Sequence, residues 1–320
     1  MDESTEALDL PPDAKSKHAF MMAQQYAPEL RFHKSERHFP SDPREFRRLG
    51  RFRESRPGKD QGWNKTIRDW VEGDQKGEAF EDISWNDIAE ETRRRFPFSG
   101  QFDPPGSPNL RPRDSKNRYS PGSAKGLFLQ RTEKLSDKRS GYGPFREAQV
   151  SGRVFVDTKY DPEKELVHVL YWFFYELNWW RFFITHEGDW EHVTLLFTKD
   201  AFTQGHEPAF VYFAQHDTGT ARRFEKMTFS TERHPVVYVD PNGHPCKPSV
   251  KDSHSYPLQW KTWTNFIEFV PQSKWRDFAG AWGEIGQTTH TTGPLGPYFK
   301  RHSDKVKVVV KNGGLHIKES

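Results

Sequence analysis

A single cysteine, Cys246, in 320 residues excludes an intrachain disulfide and sets the expectation of a reducing, cytoplasmic compartment. Apolar residues are scarce: 33% are hydrophobic and 29% charged, with a mean hydropathy of −0.94, so the core must be drawn from part of the chain. No run approaches the ~18 consecutive apolar residues of a spanning helix. The richest, Leu166 to Ile184, is broken by His168, Glu176, Asn178 and Arg181. The opening Met1-Asp2-Glu3-Ser4-Thr5-Glu6 is acidic with no apolar stretch behind it, so no signal peptide is expected. Excess charge of one sign is missing as well. With 48 Lys and Arg against 45 Asp and Glu, the net +3 demands no nucleic-acid partner. The chain also lacks a G-x-S-x-G elbow, a Walker loop, Cys-x-x-Cys and H-E-x-x-H, and Gly283-Glu284-Ile285-Gly286 does not fit a phosphate-binding loop.

Aromatics are plentiful, at 15% with 26 Phe and 11 Trp, and rigid rings suit sheet surfaces. Strand-like runs crowd residues 146–310: 149–156, Leu166 to Tyr175, His192 to Phe197, Ala209 to Gln215, Pro235 to Val239 and Val306 to Val310. Turn residues separate them, notably Asp240-Pro241-Asn242-Gly243 and Asn312-Gly313-Gly314. This pattern predicts a mainly β protein, an antiparallel β-sandwich with a few peripheral helices. One helix is expected to start at Ser41-Asp42-Pro43, with Phe46, Leu49 and Phe52 at three-residue spacing and Gly50 as a weak point. A second is expected within Thr264 to Trp282.

Between these zones, residues 54–145 are rich in Gly, Pro, Ser and charge, with seven acids and one base in 72–90 and twelve bases and five acids in 91–140. They read as a polar insertion with short helices, Ile83 to Phe96 the best of them. The expected organisation is a flexible segment 1–25, one β-sandwich domain from 26–53 and 146–310, the insertion 54–145, and a tail 311–320.

The residues that carry chemistry lie in His186-Glu187-Gly188-Asp189-Trp190-Glu191-His192. Alternation along a strand puts Asp189 and Glu191 on one face, where two ionised carboxylates repel unless a cation lies between them. Hard divalent cations, Ca²⁺ or Mg²⁺, prefer such oxygen donors, and His186, expected in the turn before the strand, would add a nitrogen. Trp190 falls on the opposite face, and Val193, Leu195 and Phe197 continue the Asp189 face inward. The alternative for the same residues is an ion-paired cluster with arginines such as Arg181. Asn178, His216 and His244 are polar residues expected at the ends of three different strands, placed to converge on the carboxylates. Cys246 has no activating neighbour in sequence and reads as an inert thiol.

Several stretches resemble the vacuolar-protein-sorting sixty-two family. They are Tyr26-Ala27-Pro28-Glu29-Leu30-Arg31-Phe32-His33 with Glu36 and Phe39-Pro40-Ser41, then Tyr171 to Tyr175, Gly188 to Val193, Tyr212 to His216 and His234 to Val239, and finally Ala281-Trp282-Gly283-Glu284 with Gly293 to Pro297. That resemblance implies a role in vacuolar protein sorting. A remoter likeness is to the necrosis- and ethylene-inducing-peptide-like toxins, through His186, Asp189, Trp190 and Glu191. It implies a β-sandwich whose histidine and two acids hold a divalent cation. Asn178 stands where those toxins have an aspartate, and His244 resembles a further histidine of their site. The toxins are secreted and disulfide-bonded, unlike this chain.

Three functions remain open on the sequence. The favoured one is a cation-dependent binding protein presenting the metal at the sandwich end to a polar ligand, a glycan or lipid head group, with peripheral membrane contact in keeping with the latter. The second is a metal-dependent hydrolase with His216 as general base, His192 facing the wrong side of its strand. The third is a binder of nucleic acid or anionic membrane through the arginines of 31–56 and 93–139, marked by steep salt dependence.

Overall fold

The computed structural model describes residues 12–48, 50–55, 126–131, 153–162, 164–181, 184–215, 218–231, 233–268, 281–283, 293–294, 296–297, 308–311 and 314–317. The fold is mainly β and sandwich-like. Its larger sheet is built on β5 (Val154–Asp161), β6 (Leu166–Arg181), β7 (Ile184–Thr198), β8 (Phe210–Gln215) and β9 (Thr218–Arg223), neighbours in that order and antiparallel throughout. β2 (Pro40–Ser41) joins β6, and β14 (Phe266–Glu268) closes the β5 edge. The smaller sheet holds β1 (Glu29–Phe32) between β11 (His234–Val239) and β13 (Leu258–Lys261), with β10 (Phe229–Thr231) and β12 (Cys246–Lys247) on β11.

The core lies between the sheets. Val167, Val169, Tyr171, Phe173 and Tyr175 of β6 and Val193, Leu195 and Phe197 of β7 meet Leu30, Phe32, Val237, Val239 and Trp260 of the smaller sheet. The inward course expected for the Asp189 face is thus the one observed. The other face of β6 and β7 is buried too: Trp190 packs against Phe174 at 4.9 Å and Trp282 at 5.3 Å between ring centroids, and Phe46 against Phe174 at 5.1 Å. A strand covered on both faces has no need of polar residues at alternate positions, which explains the nearly unbroken apolar run of β6.

Several expectations are corrected. Not all pairing is antiparallel: β1 runs parallel to β11, β14 to β5, and β15 (Ala281–Trp282) to β4 (Gly126–Arg131), because strands distant in sequence are free of the hairpin constraint. Residues assigned to a flexible N-terminal segment form α1 (Pro12–Gln25), which buries Ala19, Met22 and Ala23 in the main core and accepts a 2.7 Å hydrogen bond from the Tyr171 hydroxyl at the Ala23 carbonyl. Part of the stretch read as insertion is β4, paired with β3 (Gly50–Ser55). Residue 311, placed in the tail, ends β16 (Val308–Lys311), which pairs antiparallel with β17 (Gly314–Ile317).

The helix begun at Pro43 is only α2 (Pro43–Arg48). Phe52 lies in β3, and at Gly50 a Cβ would stand 2.7 Å from the Phe46 carbonyl. Within Thr264 to Trp282 the described residues end a 3₁₀ turn at Thr264 and form β14 and β15, with 269–280 outside the description. The expected helix at Ile83 to Phe96 also lies outside the described residues. Among those described, no helix is long and apolar enough to cross a membrane.

Candidate functional site

Parallel pairing of β1 with β11 puts the connections that follow both strands at one end of the sandwich, beside the β6–β7 hairpin. Glu36 comes from the first connection, Asn242 and His244 from the second, Asn178 and Asp189 from the hairpin. Asp189 is opposite Tyr175 and Glu191 opposite Phe173, so both carboxylates share the inner face of β7, as expected from alternation.

Gly188 interrupts that alternation. Its φ of 64° lies in the left-handed region. Regular alternation would put Glu187 on the Asp189 face, yet the Glu187 carboxylate accepts the Arg131 amide of β4 at 3.1 Å, on the Trp190 side. The backbone is also tightly enclosed: a Cβ on Gly188 would stand 2.0 Å from the Trp282 carbonyl oxygen, and one on Gly283 equally close to that of Glu187. Position 188 therefore requires glycine on two counts.

Asp189, 4% exposed, is the centre of the polar cluster. Its Oδ2 accepts the Asn178 Nδ2–H at 3.0 Å and the His244 Nδ1–H at 3.2 Å. Asn178 Nδ2 also reaches the Gly243 carbonyl at 3.4 Å, and its buried Oδ1 has no hydrogen-bond partner among the described residues. His244 is fully buried, stacked on the Tyr175 ring at 3.8 Å and 6°. Its Nε2 faces Glu36 Oε1 at 3.8 Å, too far for a hydrogen bond. Asn242 and His244 both hold positive φ, 67° and 59°, at a cost of about 1–2 kcal/mol each for an L-residue. Such strain persists where surrounding contacts enforce it.

Negative charge accumulates around this point. Burial pushes the Tyr175 hydroxyl well above the ordinary tyrosine range, and Cys246, Glu36, Glu191 and Asp189 add to the shift. Burial, then Glu191, Asp240 and Asp189, raise the Cys246 thiol in the same way, which keeps it protonated and inert. The Tyr175 hydroxyl is buried without a hydrogen-bond partner among the described residues.

The structure therefore brings Asn178 and His244 into direct contact with Asp189, and places Glu191 buried on the same face two residues along. Two local expectations are corrected. Asn178 does not end its strand and His186 is not in a turn: both lie within the hairpin strands, paired with each other, because the β6–β7 ladder extends past the apolar run. His186 Nδ1 donates to the Gly188 carbonyl at 2.8 Å. In the neutral ring that bond leaves the lone pair on Nε2, the tautomer a ligating histidine needs. His216 lies outside the described residues, as does the Arg181 side chain. His192 hydrogen-bonds Thr194 through Nδ1 at 3.1 Å and packs on Trp172, on the far side from Asp189.

Among the described residues, no group of three or more His, Cys, Asp or Glu side chains is gathered closely enough to hold a metal ion. The cluster around Asp189 is instead a mixed one of carboxylate, amide and imidazole. Residues that sequence reasoning missed are Glu36, Tyr175 and Gly188. All three stand within the motifs quoted above, but only Gly188 adjoins Asp189, and nothing in the spacing ties Glu36 or Tyr175 to it.

No family model matches the chain, and the vacuolar-protein-sorting resemblance rests on its motifs alone. No curated protein matches either. Among solved structures, NLPPya in complex with mannosamine is similar at 9% identity, covering 85% of this chain and 83% of that one with a TM-score of 0.37. NLPPya in complex with glucosamine is similar at 14% identity, over 52% and 74% of the two chains with a TM-score of 0.35. Necrosis and Ethylene inducing Protein 2 from the causal agent of cocoa's Witches Broom disease shows 12% identity over 44% and 62%, with a TM-score of 0.30. None of these scores transfers a ligand or a residue role to this chain.

Proposed function

We propose that the chain is a binding protein whose site at the sandwich end takes a divalent cation, Ca²⁺ or Mg²⁺, and through it a polar ligand such as a glycan or a lipid head group. The observation that carries the reading is the buried Asp189 carboxylate, enclosed by Asn178 and His244 and joined on its face by buried Glu191, beside an Asn178 carbonyl oxygen with no partner among the described residues. Buried carboxylates are costly unless compensated, and N–H donors from Asn178 and His244 reach Asp189 Oδ2. A bound cation would supply positive charge to these oxygens. Asn178 would offer Oδ1, and His186 would offer Nε2, its tautomer held by the Gly188 carbonyl.

Ligand binding to the native state alone raises the melting temperature. Millimolar Ca²⁺ or Mg²⁺ is expected to raise the melting temperature of the wild-type chain, and Asp189→Asn, nearly isosteric, is expected to fold and lose that increment. An equal response to metal in Asp189→Asn, measured by thermal denaturation with and without chelator, removes the assignment.

A further inference from the structure

We propose that Glu36 is the positioning residue of this site, holding the 240–245 turn so that the His244 ring is aimed at Asp189. Glu36 is 4% exposed, and it is itself fixed: Oε1 accepts the amides of Arg37 at 2.8 Å and His38 at 2.9 Å. Its other oxygen accepts the Asn242 amide at 2.9 Å. Asn242 and His244 are the two left-handed residues of that turn, and a turn so strained needs an outside contact to keep it.

The consequence reaches the large sheet by two routes. Asn242 accepts the Trp179 amide at its carbonyl, 2.8 Å away, which ties the turn to the end of β6 beside Asn178. His244, clamped flat on Tyr175, turns one nitrogen toward Glu36 and the other to Asp189. One buried carboxylate thus bears on both Asn178 and His244, which donate to Asp189 Oδ2. The function of Glu36 is to orient, not to contact the ligand.

The test uses the full chain with Glu36→Gln, Glu36→Asp and Glu36→Ala. Gln keeps the length but has one accepting oxygen where Glu36 uses two, so its NH₂ must face either the Asn242 amide or those of Arg37 and His38. Asp keeps the charge but is one methylene short, and Ala removes both. In the wild type, the Asn242 amide is expected to be protected from hydrogen exchange and the His244 Nδ1–H to give a resolved NMR signal. Glu36→Ala and Glu36→Asp are expected to lower Asn242 protection at least tenfold and to lose the ring signal, with a smaller loss of both in Glu36→Gln. If Glu36→Ala does not fold, Glu36→Asp decides. Protection and ring signal unchanged in Glu36→Asp overturn the proposal. It rests on the cation reading only for one further arm, Ca²⁺ titration by calorimetry, where Glu36→Asp is expected to weaken affinity at least tenfold. A wild-type chain that takes up no Ca²⁺ refutes the cation reading alone, because the amide and ring readouts decide the role of Glu36 without metal.

Discussion

Gly188→Ala is expected to destabilise the protein by about 3–5 kcal/mol or to prevent folding, and Gly205→Ala by only about 1–2 kcal/mol. Both glycines have positive φ, 64° and 76°, so both substitutions incur the left-handed penalty. They differ in surroundings. A Cβ at 205, the C-cap of α3 (Lys199–Gln204), meets nothing within 4 Å. At 188 it meets the Trp282 carbonyl oxygen at 2.0 Å and the carbonyl carbon at 2.8 Å. Backbone cannot rotate aside as a flexible side chain can, and this stretch is held from behind: Trp282 N–H donates to the Pro294 carbonyl and Gly283 N–H to that of Leu129. Urea denaturation of the two variants isolates the close approach from the dihedral cost. Equal losses would mean that the contact between β7 and residues 282–283 contributes nothing.

Stability is also expected to fall by about 3 kcal/mol between pH 6.5 and pH 4 on account of His38 alone. Burial, then the neighbouring His244 and Arg37, lower the His38 pKa from 6.5 to about 4. Between these values the unfolded chain binds a proton that the folded chain excludes, so stability is lost as pH drops. The contribution is complete above pH 6.5 and gone once the pH reaches about 4. His38 is fully buried, which leaves little solvent screening to reduce the effect. Chemical denaturation across this range, compared with His38→Gln, isolates the histidine from the carboxylates that titrate nearby. The variant should show a profile flatter by the stated amount. Parallel profiles for the two proteins would show that His38 is protonated in the native state or contributes nothing.

The alternating and continuous apolar runs sufficed to identify β7, β8 and β11 and the sandwich class, because a strand's side chains report directly on which faces are buried. The same local rule put Asp189 and Glu191 on one face and Trp190 on the other, as found. It failed where a tertiary contact overrode periodicity. Gly188 reverses the alternation of β7, and the extension of the β6–β7 ladder carries Asn178 and His186 into the sheet. Helix α1 escaped the reading because its helical face is weakly apolar; packing on the core and the Tyr171 bond hold it in place.

What the sequence determined by itself was the β class, the facing of the carboxylates and the segment around Asp189, since each depends on residues a few positions apart. The strand-end positions of Asn178 and His244 pointed toward the carboxylates, but the arrival of Glu36 in the same cluster was decided by tertiary structure alone. Glu36 and Asp189 are far apart along the chain, and only the parallel pairing of β1 with β11, with both connections turned toward the β6–β7 hairpin, brings their carboxylates to the two sides of one imidazole. No local pattern encodes a contact whose existence depends on how two sheets are stacked.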